Sequence, residues 1–488
     1  MNKLFSVFAL IAAVLGGALV IGIQRSVPRQ IEIASAAPIQ IDADAAAQRL
    51  SRAIRHRTVS PADSASQAEF ERFHIFLTES FPALHKRLAR ETVNQHSLLY
   101  TWQGSRSELQ PILLLAHMDV VPIDAQNTSR WRHPPFVGTV ADGYVWGRGA
   151  MDDKSSLMAS LEAIEWLVKQ DYQPERTIYL AFGHDEETGG ENGAAKIAAV
   201  LTARKVQLEY VLDEGMNILS GIIEGVTAPV ALIGIAEKGY LSIELTATAA
   251  GGHSSIPPND NAIASVTRAL QRLEAAPFPA NIRGPTRAMF EFLGPEMGWT
   301  AKLVLANLWL FEPLVVHQFA GSPLINAILR TTMAPTMFNS GVKDNVLPTH
   351  ARAVINLRIM PGETTAGALT QVREIIDDPK VKLTPLATRI EPSTATDIES
   401  PSFQLLARTI RQITPQPIVA PALLVAATDS RHYAGLTRSV LRFLPITITA
   451  ADTDRFHGID ERISVDDYLR CINFYTRLIQ NSQSQLLR

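Results

Sequence analysis

The sequence predicts an α/β protein: a mixed sheet flanked by helices, with an α+β module inserted into it. Three observations carry this. From about residue 40, apolar strand-like runs alternate with amphipathic stretches, the order that builds βαβ units and parallel strands. Near Glu237 the pattern changes to the in–out rhythm of half-exposed strands, and it reverts around Thr365. Several strands outside the inserted module end in His, Asp or Glu, at the edge where open α/β sheets bind ligands.

Taken in order, "AAAQRLSRAIRHR" is an amphipathic helix, and Pro111–Val121 is an apolar strand that ends in polar residues. Leu157, Leu161, Ile164 and Leu167 fall on one face of a helix over Lys154–Gln170. "TIYLAF" (Thr177–Phe182), "GAAKIAAVLTAR" and "LEYVLDEG" (Leu208–Gly215) continue as strand, helix and strand. "YLSIELTATAA", a helix over Ala262–Glu274 and "HARAVINLRIMP" form the inserted module, and "SVDDYLRCINFYTRLIQN" is a terminal helix. The expected boundaries are 1–37 for a leader and linker, 38–236 and 365–488 for the main domain, and 237–364 for the insertion.

The 488 residues are 46% hydrophobic, enough for a large core divided into domains. A net charge of −3 leaves no basic footprint for nucleic acid. The single cysteine, Cys471, excludes an intrachain disulfide and sits in an apolar helical pattern, as a core residue would. Leu4–Ile23 runs 20 residues without a charge. Secretory cores are usually shorter, and a spanning helix needs about this length. A small-residue site, Ala34-Ser35-Ala36, follows at a distance. The stretch is therefore expected to be an uncleaved signal anchor rather than a cleaved signal peptide, with the body exported: membrane-anchored or secreted, outside the cytoplasm.

His117 and Asp119 end one strand, Asp152 and Asp153 precede a helix, Glu186 and Glu187 end another strand, Asp213 ends a third, and His457 lies far downstream in "RFHGID". So many unpaired carboxylates at one edge would repel one another severely, and bound cations relieve this. Imidazole and carboxylate without thiolate suit zinc and also accommodate manganese or cobalt.

The stretches "LLLAHMDVVP", "GRGAMDDKSSLMA", "GHDEETGG", "VLDEG", "GGHSSIPP", "NVLPTHARAVINLRIMPG", "TDSRHY" and "HGIDERIS" make this chain resemble the dinuclear zinc exopeptidase and aminoacylase family, in its carboxypeptidase S branch, over nearly everything after residue 40. The resemblance implies a zinc-exopeptidase-like sheet with a ferredoxin-like lid, and two Zn²⁺ per chain. His117 and Asp213 would hold one ion, Glu187 and His457 the other, and Asp152 would bridge them. Asp119 would orient His117, and a cis peptide would follow Asp152. Glu186 would be the general base and His253 the oxyanion donor. Arg358 would bind the substrate carboxylate, Asn345 would make a polar contact, and Thr428, Asp429 and Arg431 would line the same end of the pocket.

The implied reaction cuts, or run backwards forms, the amide of an N-acyl amino acid or short peptide with a free carboxylate. A Gly-X dipeptidase without lipid substrates and a non-catalytic metal-dependent binding protein are the alternatives. An intact Glu186 argues against the last, since a binding protein needs no base. The apolar stretch Met289–Val316 is read either as extra helical core or as a wall for a long acyl chain, and it could instead cover the lid surface that homologous dimers use.

Overall fold

The computed structural model describes residues 2–61 and 64–483. In the N-terminal helix Asn2–Arg25, most side chains before Gly16 lie outside the described residues, and with them much of the expected anchor. The centre is a mixed sheet in which Ile178–Gly183, Ile112–His117 and Val211–Asp213 are parallel neighbours. All six residues of Ile112–His117 are buried, because helices cover both faces, and such strands read as continuous apolar runs. His117 pairs in register with Gly183, and Leu114 with Leu212, so the three strands deliver their carboxyl ends to one edge. The helices Lys154–Lys169 and Val465–Asn481 pack against each other beneath the sheet. Ser464 caps the latter by accepting from the Asp467 amide (3.0 Å), and Cys471 is fully buried in it.

The inserted module is a four-stranded antiparallel sheet ordered Thr332–Ser340, His350–Ile359, Gly239–Thr248, Val381–Ile390. Helices Ala262–Ala275 and Thr365–Ile376 cover one face, with Leu241, Ile243, Leu245, Val266, Leu357 and Val372 in the shared core. This is the ferredoxin-like βαββαβ order. It also corrects a boundary: the module continues to Ile390 instead of ending at residue 364. The last strand lies at the sheet edge, half its residues are partly exposed, and Pro385 sits where its register shifts. Pro inside a run demotes it as a strand, and bulged edges are where it is tolerated.

Between Ala275 and Thr332 lies a helical insertion of two characters. Gly284–Leu293 packs on the main-domain strand Ile418–Leu424 and contributes Phe292 and Leu293 to the main core, where Phe292 meets Phe403 edge-on at 6.2 Å. The helices that follow are far less buried.

Lys238 stands at the hinge between the main-domain strand Val230–Glu237 and the lid strand Gly239–Thr248. Its buried Nζ donates to the carbonyls of Ala327 (2.9 Å) and Arg330 (2.8 Å), tying the insertion to the hinge. Burial, with Arg358 adding, pushes its ammonium down to about 7. Between pH 7 and the ordinary lysine value of about 10.4, the unfolded chain binds a proton that the folded chain lacks, so this group makes stability rise with pH across that window. Urea unfolding from pH 7 to 9.5 should therefore rise less steeply in Lys238→Met than in the wild type. Equal slopes would contradict the assignment.

Candidate active site

His117 leaves its strand with the ring fully enclosed. Its Nδ1 lies 2.9 Å from the Asp119 carbonyl, an acceptor only, so Nδ1 carries the hydrogen and Nε2 faces the cluster. Nε2 lies 2.9 Å from Asp152 Oδ1 and 3.4 Å from Glu214 Oε1. On the other side, His457 Nε2 lies 3.0 Å from Asp152 Oδ2 and 3.3 Å from Glu187 Oε2. Two candidate ligand groups result, His117–Asp152–Glu214 and Asp152–Glu187–His457, each with donor atoms within 4.8 Å of one another. Asp152 belongs to both, one oxygen in each, and its peptide bond to Asp153 is cis, as the resemblance implies.

The structure brings Glu214, not Asp213, to His117. Neighbouring strand residues point to opposite faces. Leu212 joins the main core and Val211 the core on the other face, so Asp213 follows Val211 and Glu214 follows Leu212. The Asp213 carboxylate instead accepts from the amides of Ser430 (2.8 Å) and Glu214 (3.0 Å). It is an anchor beneath the cluster. The sequence expectation named Asp213 as the ligand, and the structure sets Glu214, one position on, beside His117.

The electrostatics fit a cation. Hydrogen bonds to Asp152 and Glu187 push His457 up to about 10. Burial opposes charge on His117, but Asp119, Asp152 and Glu214 together raise it well above its usual range. Burial, with the Asp152 charge adding, pushes Glu214 up to about 8. The surrounding carboxylates thus favour positive charge at both imidazoles, which a divalent ion would supply in place of protons. Glu187 Oε1 is buried with no hydrogen-bond partner, an orphaned carboxylate oxygen of the kind metal coordination satisfies. The residues present therefore fit one or more divalent ions.

Asp119, fully buried, does more than face His117. Its two oxygens accept the amides of Glu186 and Glu187, each at 3.2 Å, and so fix the turn that carries both acids. Glu186 lies outside both ligand groups. Burial raises its carboxyl well above normal, with His117 opposing and Asp429 adding. Sequence reading missed a further support. Glu461 accepts the amides of Met151 (2.8 Å) and Asp152 (3.2 Å) and pairs with Arg148, which donates to the His457 carbonyl (2.9 Å). This buried pair fastens the Asp152 loop to the His457 loop. The signal available was that Arg148 and Glu461 stand inside the stretches "GRGAMDDKSSLMA" and "HGIDERIS", where the sequence reading gave them no role.

The expected substrate residues separate into two sets. Thr428 donates to Glu237 (2.6 Å), and Arg431 donates to the carbonyls of Thr428 (3.1 Å) and Gly189 (2.6 Å). Asp429 is buried with both oxygens unpartnered, pushed up by burial and by Asp213. It occupies the space a side chain at Gly190 would need, since a Cβ there would lie 2.0 Å from Asp429 Oδ1. Arg358, on the lid, lies over the Tyr240 ring at 4.9 Å, and burial and the charge of Arg431 make its guanidinium easier to deprotonate than usual. Arg358 and Arg431 are near enough across the domain boundary for their charges to act on each other. His253 and Asn345 sit apart, on an exposed two-stranded ribbon where Ser254 N donates to Asn345 O (3.3 Å). Among the described residues, neither contacts the ligand groups.

The model of the peptidase family M20/M25/M40 matches residues 113–481. The chain is 42% identical over 446 residues to a probable carboxypeptidase S-like protein of Dictyostelium discoideum, covering 90% of this chain and 85% of that one. It is 40% identical over 443 residues to the N-fatty-acyl-amino acid synthase/hydrolase of Mus musculus, covering 90% and 88%. It is 30% identical over 485 residues to carboxypeptidase S of Saccharomyces cerevisiae, covering 89% and 83%. Among solved structures, an M20 family metallo-carboxypeptidase of Sulfolobus solfataricus superposes with a TM-score of 0.67 at 17% identity, covering 89% of this chain and 98% of that one. Human carnosine dipeptidase 1 superposes at 0.59 and 14%, covering 90% and 96%. Sequence likeness across nine-tenths of the chain, on a fold shared with solved members, shows that this protein belongs to the M20 peptidase family and is a hydrolase of that family.

Proposed function

We propose that the chain is a dinuclear zinc amidohydrolase that cleaves N-acyl amino acids or short peptides beside a free C-terminal carboxylate. The carrying observation is the pair of ligand groups that share Asp152. His117, Asp152 and Glu214 would hold one ion, and Asp152, Glu187 and His457 the other, with manganese or cobalt as substitutes. Bound ions would acidify water and polarise the scissile carbonyl.

The chain's own residues do the rest. Glu186 takes a proton from the attacking water and returns it to the leaving amine nitrogen. Asp119 holds the His117 ring and the Glu186–Glu187 turn in place. Arg358 and Arg431 receive the carboxylate, a role suited to bidentate guanidinium pairing. His253 donates to the developing oxyanion. Its exposed position means that lid closure, or the lid of a second copy, must bring it in. Run in reverse, the same groups would condense a free acid with an amino acid. The expected setting is outside the cytoplasm, anchored or secreted.

The similarity to the fatty-acyl-amino acid hydrolase favours an acyl substrate over a Gly-X dipeptide. Assays of the purified full chain on N-oleoyl-phenylalanine and on Gly-Leu test this, with turnover expected on the first. Metal-loaded protein that turns over neither would overturn the reading. Arg358→Met should raise KM for N-oleoyl-phenylalanine about 10- to 100-fold, the value of a charged hydrogen bond. It should hardly alter the weak turnover of the corresponding carboxamide.

A further inference from the structure

Apolar surface collects on the insertion, away from the site described above. The helix Trp299–Ala306 buries none of its residues, and Leu308–Phe319 buries only Leu308 and Val315. The two meet at 114°. They expose Trp299 (68%), Trp309 (61%), Leu310 (41%) and Leu314 (58%). Single exposed apolar residues are ordinary, whereas a cluster on two joined helices marks an interaction surface.

The N-terminal helix lies beside this surface and leaves those side chains exposed. Asn2–Arg25 packs against Trp299–Ala306. Asn307, fully buried at the bend, donates to the carbonyls of Leu19 (3.3 Å) and Leu303 (3.0 Å) and accepts from Trp309 Nε1 (3.2 Å). A Cβ on Gly22 would lie 2.2 Å from Asn307 Oδ1, so glycine is what lets the helix seat. The chain beyond it is strapped to the main domain. Arg29 pairs with Glu291 (3.5 Å) and lies over Phe292, and Gln30 exchanges hydrogen bonds with Val419 (2.9 and 3.2 Å). At Leu19 and Gly22 the C-terminal part of the uncharged run Leu4–Ile23 thereby meets the bend at Asn307, next to the exposed Trp309. Among the described residues no single helix is long and apolar enough to cross a membrane, and the bent pair passes only when its two arms are taken together. A 20-residue uncharged run has the length to enter a hydrocarbon layer, and indole rings favour its interface. Arg25 and Lys302 supply cations on these same helices, suited to headgroups.

We propose that the bent pair and the N-terminal helix together form a bilayer-docking surface, with Trp299, Trp309, Leu310 and Leu314 seated in the interfacial layer of a phospholipid membrane. The inference stands apart from the reaction assigned above and uses none of its residues.

The test reconstitutes the full chain into phosphatidylethanolamine–phosphatidylglycerol vesicles, with or without bromine on the acyl chains, and reads tryptophan emission. The other four of the six tryptophans, Trp102, Trp131, Trp146 and Trp166, are buried or half-buried in the main domain. Brominated vesicles should lower the emission attributable to Trp299 and Trp309 by at least about two-fold, the seating depth being shallow. Trp299→Phe/Trp309→Phe, which keeps the apolar bulk, should lose that quenching. Equal emission with and without bromine would overturn the proposal. So would a change that depends on protein concentration alone, which points to a second copy, or shielding by N-oleoyl-phenylalanine where vesicles give none, which points to an acyl-chain wall.

Discussion

Glu186→Gln is expected to lower kcat by about 10³- to 10⁴-fold, at the upper end for a lost proton-transfer group, with metal content unchanged. Glu186 is outside both ligand groups, so the substitution removes no ligand. Its turn is held through the backbone, by Asp119 accepting the Glu186 amide at 3.2 Å, and that bond survives the change of side chain. What disappears is a buried carboxylate whose raised proton affinity suits it to accept and return a proton. Initial rates at saturating substrate, paired with metal analysis of the same samples, check this. Metal lost in step with activity would make Glu186 a ligand instead.

The second large effect separates two adjacent acids. Glu214→Gln should strip the ion held with His117 and cost more than about 10²-fold in activity, beyond the range for a residue that only supports a ligand. Asp213→Asn should keep the ion and cost about 10- to 100-fold, since Asp213 works through the Ser430 and Glu214 amides. The assignment of ligand to Glu214 comes from a 3.4 Å approach to His117 Nε2. If Asp213→Asn loses metal while Glu214→Gln retains it, that assignment is reversed.

These two residues also show where sequence reading stops. The alternation of strands and helices was legible because Ile112–His117 and Ile178–Gly183 are covered on both faces and read as unbroken apolar runs. His117, Asp152, Glu187 and His457 stood out in the sequence because their motifs are dense in donors, and the structure gathers all four into the two candidate ligand groups. Choosing between Asp213 and Glu214 needed the parity of a three-residue strand, Val211–Asp213, too short to count with assurance. The Arg148–Glu461 pair was illegible for a different reason: both residues stand inside motifs read for other side chains, and nothing in a sequence pairs two charges 313 positions apart. The strand Val381–Ile390 escaped because an edge strand with Pro385 inside it has little alternation to show.

The insertion was half legible. Its apolar character is plain in the sequence, but only the packing shows that Phe292 joins the main core while Trp299 and Trp309 remain exposed.

The central claim is that two imidazoles and three carboxylates grip divalent ions on which turnover depends. Its most direct test strips the full chain with chelator, returns Zn²⁺ in steps, and measures bound metal and N-oleoyl-phenylalanine hydrolysis on the same samples. Activity should vanish in the stripped protein and climb with bound metal until the site is full. Undiminished hydrolysis by protein carrying no transition metal would contradict the account.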